Sequence, residues 1–371
     1  MQSASILIIG GGIGGLTTAI ALRRKGFMVE VIEKDPNWAV YGVGIIQQAN
    51  VIRAMNALGI LDDYIGAGYG FDFVDIFIPS GQQVAHIPTP KLVAGYPSNV
   101  GIGRPALHKV LGDCTKAAGA TVRLGVTVQS MNDDGAGVSV QFNDGSTGRY
   151  DLVIGADGVN STTRRVLFPQ APLPQFTGQG VWRYNFPRHP DVTNLTAYEG
   201  PTGVGFCPLS DDVMYMYITT REPGNPFYAR ENLAETMRGK LVNVSPFVAQ
   251  FRDQITNNDA VVYRPLEWLF LEGDWHVGNV VLIGDAAHAT TPHLGQGAGM
   301  AIEDGIVLAE ELTRAETPEQ AFKAMHARRF ERCKYIVERS RLIGEGQIGQ
   351  GPLLDNALES RDMHKVVAAE L

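Results

Sequence analysis

Cysteine is nearly missing from this sequence: Cys114, Cys207 and Cys333 stand far apart in a chain of 371 residues. An odd, scattered set builds neither a disulfide framework nor a metal-ligand spacing, so a stapled secreted scaffold and a zinc module are excluded. A reducing, cytoplasmic setting is expected, with no metal. Positive charge is also short. There are 31 Lys and Arg against 39 Asp and Glu, a net charge of −8, and no basic block that would track phosphates. Neither nucleic acid nor an anionic membrane surface is therefore expected as a partner. No apolar run approaches the ~18 residues of a bilayer span, and the N-terminus lacks the basic, apolar and small-residue regions of a signal peptide. Internal repeats and low-complexity tracts are missing too.

Glycine is what the chain has in excess, with 43 residues, roughly half again the ordinary frequency. That density implies tight turns and close backbone approaches to a ligand. It is concentrated first at Gly10-Gly11-Gly12-Ile13-Gly14-Gly15, between an apolar run at Ser5 to Ile9 and a helical pattern over Leu16 to Lys25. A second apolar run, Phe27 to Ile32, is closed by Glu33. Strand, helix and strand form a βαβ unit, and the glycines satisfy G-x-G-x-x-G. Gly10 permits the turn, Gly12 admits a pyrophosphate, and Gly15 lets the helix pack on the strand. The helix N-terminus offers N–H groups to phosphates, and an acid at Glu33 suits an unphosphorylated ribose.

Further along, the pattern predicts a helix over 49–58, antiparallel strands over 73–87, a helix over 104–118 and a strand over 121–129. Hairpin turns are expected at Asp134-Gly135 and Asn143-Asp144-Gly145. Two more segments carry chemistry. Asp151 to Gly155 is a buried strand leading through Ala156-Asp157-Gly158 to Ser161 and Arg164; Asp157 is either a ligand group or the cap of the next helix. Val280 to Ile283 leads to Gly284-Asp285-Ala286-Ala287-His288, then Pro292 and the glycine run Gly295 to Gly299. This offers a second anion-ready helix start. Between 173 and 265 prolines are frequent and short strands dominate. The expected organisation is a discontinuous dinucleotide-binding domain (1–71, 99–172 and 266–371) and an antiparallel-sheet substrate domain (72–98 and 173–265).

Taken together, the three segments resemble the group A flavoprotein monooxygenases, the family of p-hydroxybenzoate hydroxylase, salicylate hydroxylase and 6-hydroxynicotinate 3-monooxygenase. They occur in family order and at family-like separations over most of the chain. The resemblance implies an α/β fold: a Rossmann-like FAD-binding domain, an inserted antiparallel-sheet substrate domain and a helical C-terminus. It implies FAD as cofactor, NADH or NADPH as co-substrate, and O2 with a small aromatic ring as partners in a monomer or homodimer. Hydroxylation would pass through a C4a-hydroperoxyflavin. By the same resemblance Gly10, Gly12, Ile13, Gly14, Gly15, Glu33, Lys34 and Val126 belong to the adenosine and pyrophosphate end. Arg104 and Asp157 would support the pyrophosphate, with Asp157 also serving the nicotinamide. Asp285 beside Gly284 would bind the ribityl chain, and Gly44, Ile45, Pro292, Gly295, Gly297 and Ala298 would lie along the flavin. The chain departs from the pattern at Gly299, where an asparagine is frequent, at Ala49-Asn50, where Pro-Asn is usual, and at Gln47, where an apolar residue is usual.

Candidates for the substrate end come from the residues themselves. Alternation over Val213 to Thr219 puts Tyr215 and Tyr217 on one face of a strand and Met214, Met216 and Ile218 on the other. Phe206 and Cys207 belong to a neighbouring strand. Arg183, in an apolar strand, needs either a protein acid or a substrate carboxylate if buried. His293 is the expected base, Gln47 and Tyr215 its companions in catalysis, and His288 a structural neighbour of Asp285.

Overall fold

The computed structural model of the protein describes residues 4–199 and 202–371. Its central sheet has six strands in the order His276–Val277, Val280–Leu282, Leu152–Gly155, Ser5–Ile9, Met28–Glu33, Thr121–Leu124, all parallel except the first pair. Continuous apolar runs suit this position, because both faces are covered. Ile6 and Ile8 face a helical layer, whereas Leu7 and Ile9 face a three-stranded antiparallel sheet through Val138, Val140 and Phe142. The helical layer includes Ile13–Arg24, Gly297–Arg314 and the 30-residue helix Pro318–Gln347, with Asn356–Ala368 closing the chain.

The strand expected over 121–129 is two strands. Gly125 takes φ +73, which ends Thr121–Leu124 in the central sheet and starts Val128–Asp133 in the three-stranded one.

A second, seven-stranded sheet runs Val262–Trp268, Gln175–Pro187, Val213–Arg221, Gly203–Pro208, Leu195–Tyr198, Phe73–Phe77, Gln83–Pro88. Strand Val262–Trp268 crosses the boundary expected at 265/266. Met214, Met216 and Ile218 turn to a core with Met237, Val248 and Phe251 from two short helices. Tyr215 and Cys207 turn the opposite way, against Phe71 and Leu209. A small sheet, Gly44–Gln47, Asn99–Gly103 and Tyr69–Phe71, fills the space between the two large sheets. It fits closely: a Cβ on Gly101 would lie 2.0 Å from the Pro208 carbonyl oxygen.

Candidate active site

In the central sheet Ile9 pairs with Gly155, and Gly155 with Leu282. That register sends the three motif loops out side by side at the carboxyl ends of neighbouring strands, where ligands bind in open α/β sheets. The loops open into a cleft of about 820 Å³ that reaches across to the seven-stranded sheet at Val181, Tyr215 and Leu266.

At the first loop Gly10 takes φ +113 and its missing Cβ would stand 2.4 Å from the Ala156 carbonyl oxygen. A Cβ on Gly15 would sit 2.0 Å from the Gly10 oxygen, whereas one on Gly12 would meet nothing within 4 Å. Two glycines thus allow close crossing of the chain, and the third leaves open floor. Gly12, Ile13 and Gly14 line the cleft, and the helix starting at Ile13 has no side-chain cap. Its first N–H groups face the cleft. Glu33 accepts hydrogen bonds from the backbone N–H of Gly11 and of Asp35, both at 2.9 Å. Trp38 and His108 both reach the Gly11 carbonyl, at 2.9 and 3.0 Å. Lys34 is exposed, and Val126 is buried under the sheet while its N–H bonds the Glu33 carbonyl.

At the second loop the Asp157 carboxylate is engaged by protein donors: it accepts from Ser161 Oγ, from the N–H groups of Thr162 and Thr163, and from Thr163 Oγ1. Ser161 is the N-cap of the helix Thr162–Leu167, Asp157 satisfies that helix's first two N–H groups, and the cleft wall here is Ala156, Gly158 and Val159. Buried Arg164 donates to the carbonyls of Val159 and Ala286, tying the second loop to the third.

At the third loop Gly284 turns with φ +57 and Asp285 opens into the cleft. Burial by the surrounding walls raises its carboxyl above the usual range, opposed by His288 and Arg104. His288 is fully buried and bonds Asp304 at 2.7 Å, while Asp304 also accepts the Gly284 N–H. Burial alone would raise Asp304, but His288 and Arg329 outweigh it and hold it at about 2. The loop at Pro292 and Gly295 borders the cleft, as do Gly297 and Ala298, where the helix Gly297–Arg314 begins without a side-chain cap.

The substrate-side candidates separate. Tyr215 and Arg183 line the cleft, as do Arg104, Gly44 and Ile45, which the resemblance assigned to the cofactor. Among the described residues neither the Arg104 nor the Arg183 guanidinium makes a hydrogen bond or salt bridge to a protein group; the Arg104 backbone N–H bonds the Val43 carbonyl. Burial lowers the Arg104 guanidinium, opposed by Tyr215 and Asp285, and burial together with Arg104 pushes Arg183 down to about 10. Burial raises the Tyr215 phenol well above its ordinary value. Phe206 pairs with Met216 and faces the other side of its sheet, so it is a core residue. Cys207 shares the Tyr215 face but is fully buried beside Gly101, and Tyr217 packs partly buried next to Tyr215; neither lines the cleft. Gln47 is buried on the strand face opposite Gly44, with neither amide atom partnered. His293 turns to the long C-terminal helix: Nδ1 meets Thr291 Oγ1 at 2.9 Å and Nε2 meets Gln347 at 3.2 Å. Both ring nitrogens are engaged, burial lowers the imidazole to about 4, and His293 is not among the residues that line the cleft, so the geometry gives the expected base role no support. Arg264, whose guanidinium lies 4.1 Å over the Tyr41 ring at the cleft wall, was missed. A lone cation in the apolar strand Val262–Trp268 is the same signal that singled out Arg183.

A family described as FAD binding domain matches residues 3–340. The aurachin C monooxygenase/isomerase of Stigmatella aurantiaca is 33% identical over 364 residues, covering 93% of this chain and 90% of that protein. The 6-hydroxynicotinate 3-monooxygenase of Pseudomonas fluorescens is 31% identical over 359 residues, covering 90% of each. Klebsiella pneumoniae HpxO, solved with FAD and uric acid, superposes with a TM-score of 0.83 at 23% identity over 99% of this chain and 93% of that one, which shows a common fold.

Proposed function

The chain belongs to the FAD binding domain family and is an FAD-dependent monooxygenase of aromatic rings, and on that premise we propose that its substrate is a small ring carrying a negative charge. The cleft fits the cofactor. Two uncapped helix N-termini face it, Gly12 leaves open floor for a pyrophosphate, and Asp285 presents a carboxylate to a polyol chain. Gly12, Ile13, Gly14 and Glu33 would hold the adenosine and pyrophosphate end, Asp285 the ribityl chain, and Ile45, Pro292, Gly295 and Gly297 the ring system. Bound there, FAD supplies the oxygen-activating chemistry, with NADH or NADPH as reductant. The sheet over 72–98 and 173–265 is the substrate-side unit in this reading, and the protein works as a monomer or homodimer.

One observation carries the substrate reading: the Arg104 and Arg183 guanidiniums stand in the cleft without a salt bridge, each disfavoured by burial, and Arg183 has no protein carboxylate acting on it, whereas Asp285 offsets part of the cost at Arg104. A buried cation needs a counter-charge, and a substrate carboxylate or phenolate supplies it. The relatives include an enzyme of hydroxynicotinate, an aromatic carboxylate. No candidate residue acts as base. Tyr215 stays protonated and serves as a hydrogen-bond donor, and His293 is occupied. The two guanidiniums do that work differently, stabilising the ionised ring oxygen and lowering its pKa. Val181, Leu266 and Ile46 keep that end of the cleft apolar and exclude water.

Purified protein is expected to be yellow and to oxidise NADH or NADPH faster with hydroxylated aromatic acids. Oxygen from isotopically labelled O2 should enter the product. Peroxide as the sole product across hydroxybenzoates and hydroxypyridine carboxylates would favour an oxidoreductase that inserts no oxygen.

A further inference from the structure

Behind the cleft lies an unbroken chain of buried polar contacts that the reaction itself does not use. Asn50 and Gln296, each 1% exposed, form a reciprocal amide pair: Asn50 Nδ2 donates to Gln296 Oε1 at 2.9 Å, and Gln296 Nε2 to Asn50 Oδ1 at 3.1 Å. Gln296 also donates to Gln48, whose own amide reaches the Leu294 carbonyl at 3.3 Å and packs against Gly295 at the cleft wall. On the other side Asn50 donates to Glu303 at 3.0 Å. Glu303, 1% exposed, is held by Arg329 at 2.7 Å and Arg332 at 3.3 Å. Arg332 continues outward, donating to the backbone carbonyls of Ala369 and Glu370 at 2.9 and 2.8 Å. Arg53, 3.9 Å from Glu303, holds the carbonyls of Val367, Ala368 and Ala369.

Gly299 leaves the space this pair needs, since a Cβ there would lie 2.8 Å from Gln296 Oε1 and 3.1 Å from Asn50 Nδ2. Every acceptor in the relay has its donor, and Glu303 sits where a carboxylate without partners is costly. Losing one link therefore leaves its neighbours unsatisfied, and the nearest relief is movement of the loop at Leu294 and Gly295.

We propose that Gln48, Asn50, Gln296, Glu303 and Arg332 form a positioning relay through which the segment at Ala369 and Glu370 fixes the cleft loop that contacts FAD. The proposal rests on the FAD reading of the cleft. None of the relay side chains is a catalytic residue. The tail acts as the outer clamp, and Gln48 is the inner finger against Gly295.

The test is a double-mutant cycle read by FAD affinity, with apoprotein titrated by FAD fluorescence and the visible spectrum of bound FAD recorded alongside. Gln296→Met keeps the volume and removes the amide; a chain ending at Ala368 removes both acceptors of Arg332 and touches nothing in the cleft. Each is expected to weaken FAD binding about tenfold and to shift the flavin absorption bands. Combined, they are expected to weaken it by little more than the worse single change, because both interrupt one relay. Should the shortened chain fail to fold, Arg332→Lys interrupts the same link with the charge retained. A shortened chain, or Arg332→Lys, that binds FAD with unchanged affinity and spectrum overturns the proposal, and so does a double variant weakened by the product of the two single effects. Failure of the unaltered protein to bind FAD would instead overturn the reading of the cleft.

Discussion

Replacing Arg183 with methionine should separate recognition from stability in opposite directions. The side chain keeps its length and apolar stem but loses the guanidinium that faces the cleft without a protein partner. Truncating one partner of a desolvated charge pair costs about 2–4 kcal/mol, which is about 30- to 1,000-fold in kcat/KM for a carboxylated ring. Arg104 remains to hold part of the charge, so the lower half of that range is expected. A neutral ring should lose little. The folded protein gains. A guanidinium pushed down to about 10 by burial and Arg104 is less comfortable charged in the fold than in the open chain, at a cost on the order of 1–3 kcal/mol near neutral pH. The sign follows from the lowered value: the cost is present wherever Arg183 is protonated and fades as pH rises through about 10. Removing the charge should raise Tm by roughly 1–4 °C in a chain of this size. Steady-state NAD(P)H oxidation with paired acid and neutral substrates, beside thermal melts, reads both effects. Equal loss for acid and neutral rings, or a Tm several degrees lower, would show that Arg183 is a packing residue and refute the argument from an unpaired charge.

Asp285→Ala should purify folded but depleted of FAD, measured as the ratio of absorbance at the flavin and protein bands; a full complement sinks the ribityl role. Gly15→Ala should express poorly or lose its nucleotide, because its Cβ would fall 2.0 Å from the Gly10 oxygen, backbone that cannot yield; wild-type FAD content in that variant contradicts the close-packing argument. His293→Ala should leave the pH profile of kcat unchanged, its imidazole being neutral above about 4 and bonded at both nitrogens, and loss of a basic limb from that profile would restore it as a base.

The parallel sheet was legible because runs such as Ser5–Ile9 are buried on both faces and so carry no alternation to mislead. Glycines at 10, 12 and 15 were legible because each has a steric reason that spacing alone conveys. Asp157 was harder. Its neighbours Ser161, Thr162 and Thr163 are capping residues, and a carboxylate before them satisfies helix N–H groups whether or not a ligand is near. Phe206 and Cys207 are adjacent, and only the strand register with Met216 and Tyr215 decides which one faces the cleft side. His293 follows Pro292 in sequence, yet the short helical turn at Pro292–Leu294 points its ring at Gln347, a residue 54 positions later. Contacts of that range leave no local pattern.

The register Ile9–Gly155–Leu282 has a consequence for how the protein is born. The three loops that make one cleft are separated by 146 and 127 residues of chain. The N-terminal βαβ unit carries the dinucleotide signature long before a cleft exists to receive one. A ribosome must deliver the strand Val280–Leu282, and the helix Gly297–Arg314 behind it, before FAD can be gripped at both ends. Cofactor capture is thus a late event in folding. With FAD held at both ends as proposed, its binding favours the finished arrangement by mass action. Starvation for riboflavin should accordingly leave an accumulating chain whose sheet is formed and whose third loop is loose, a state that proteases would find first.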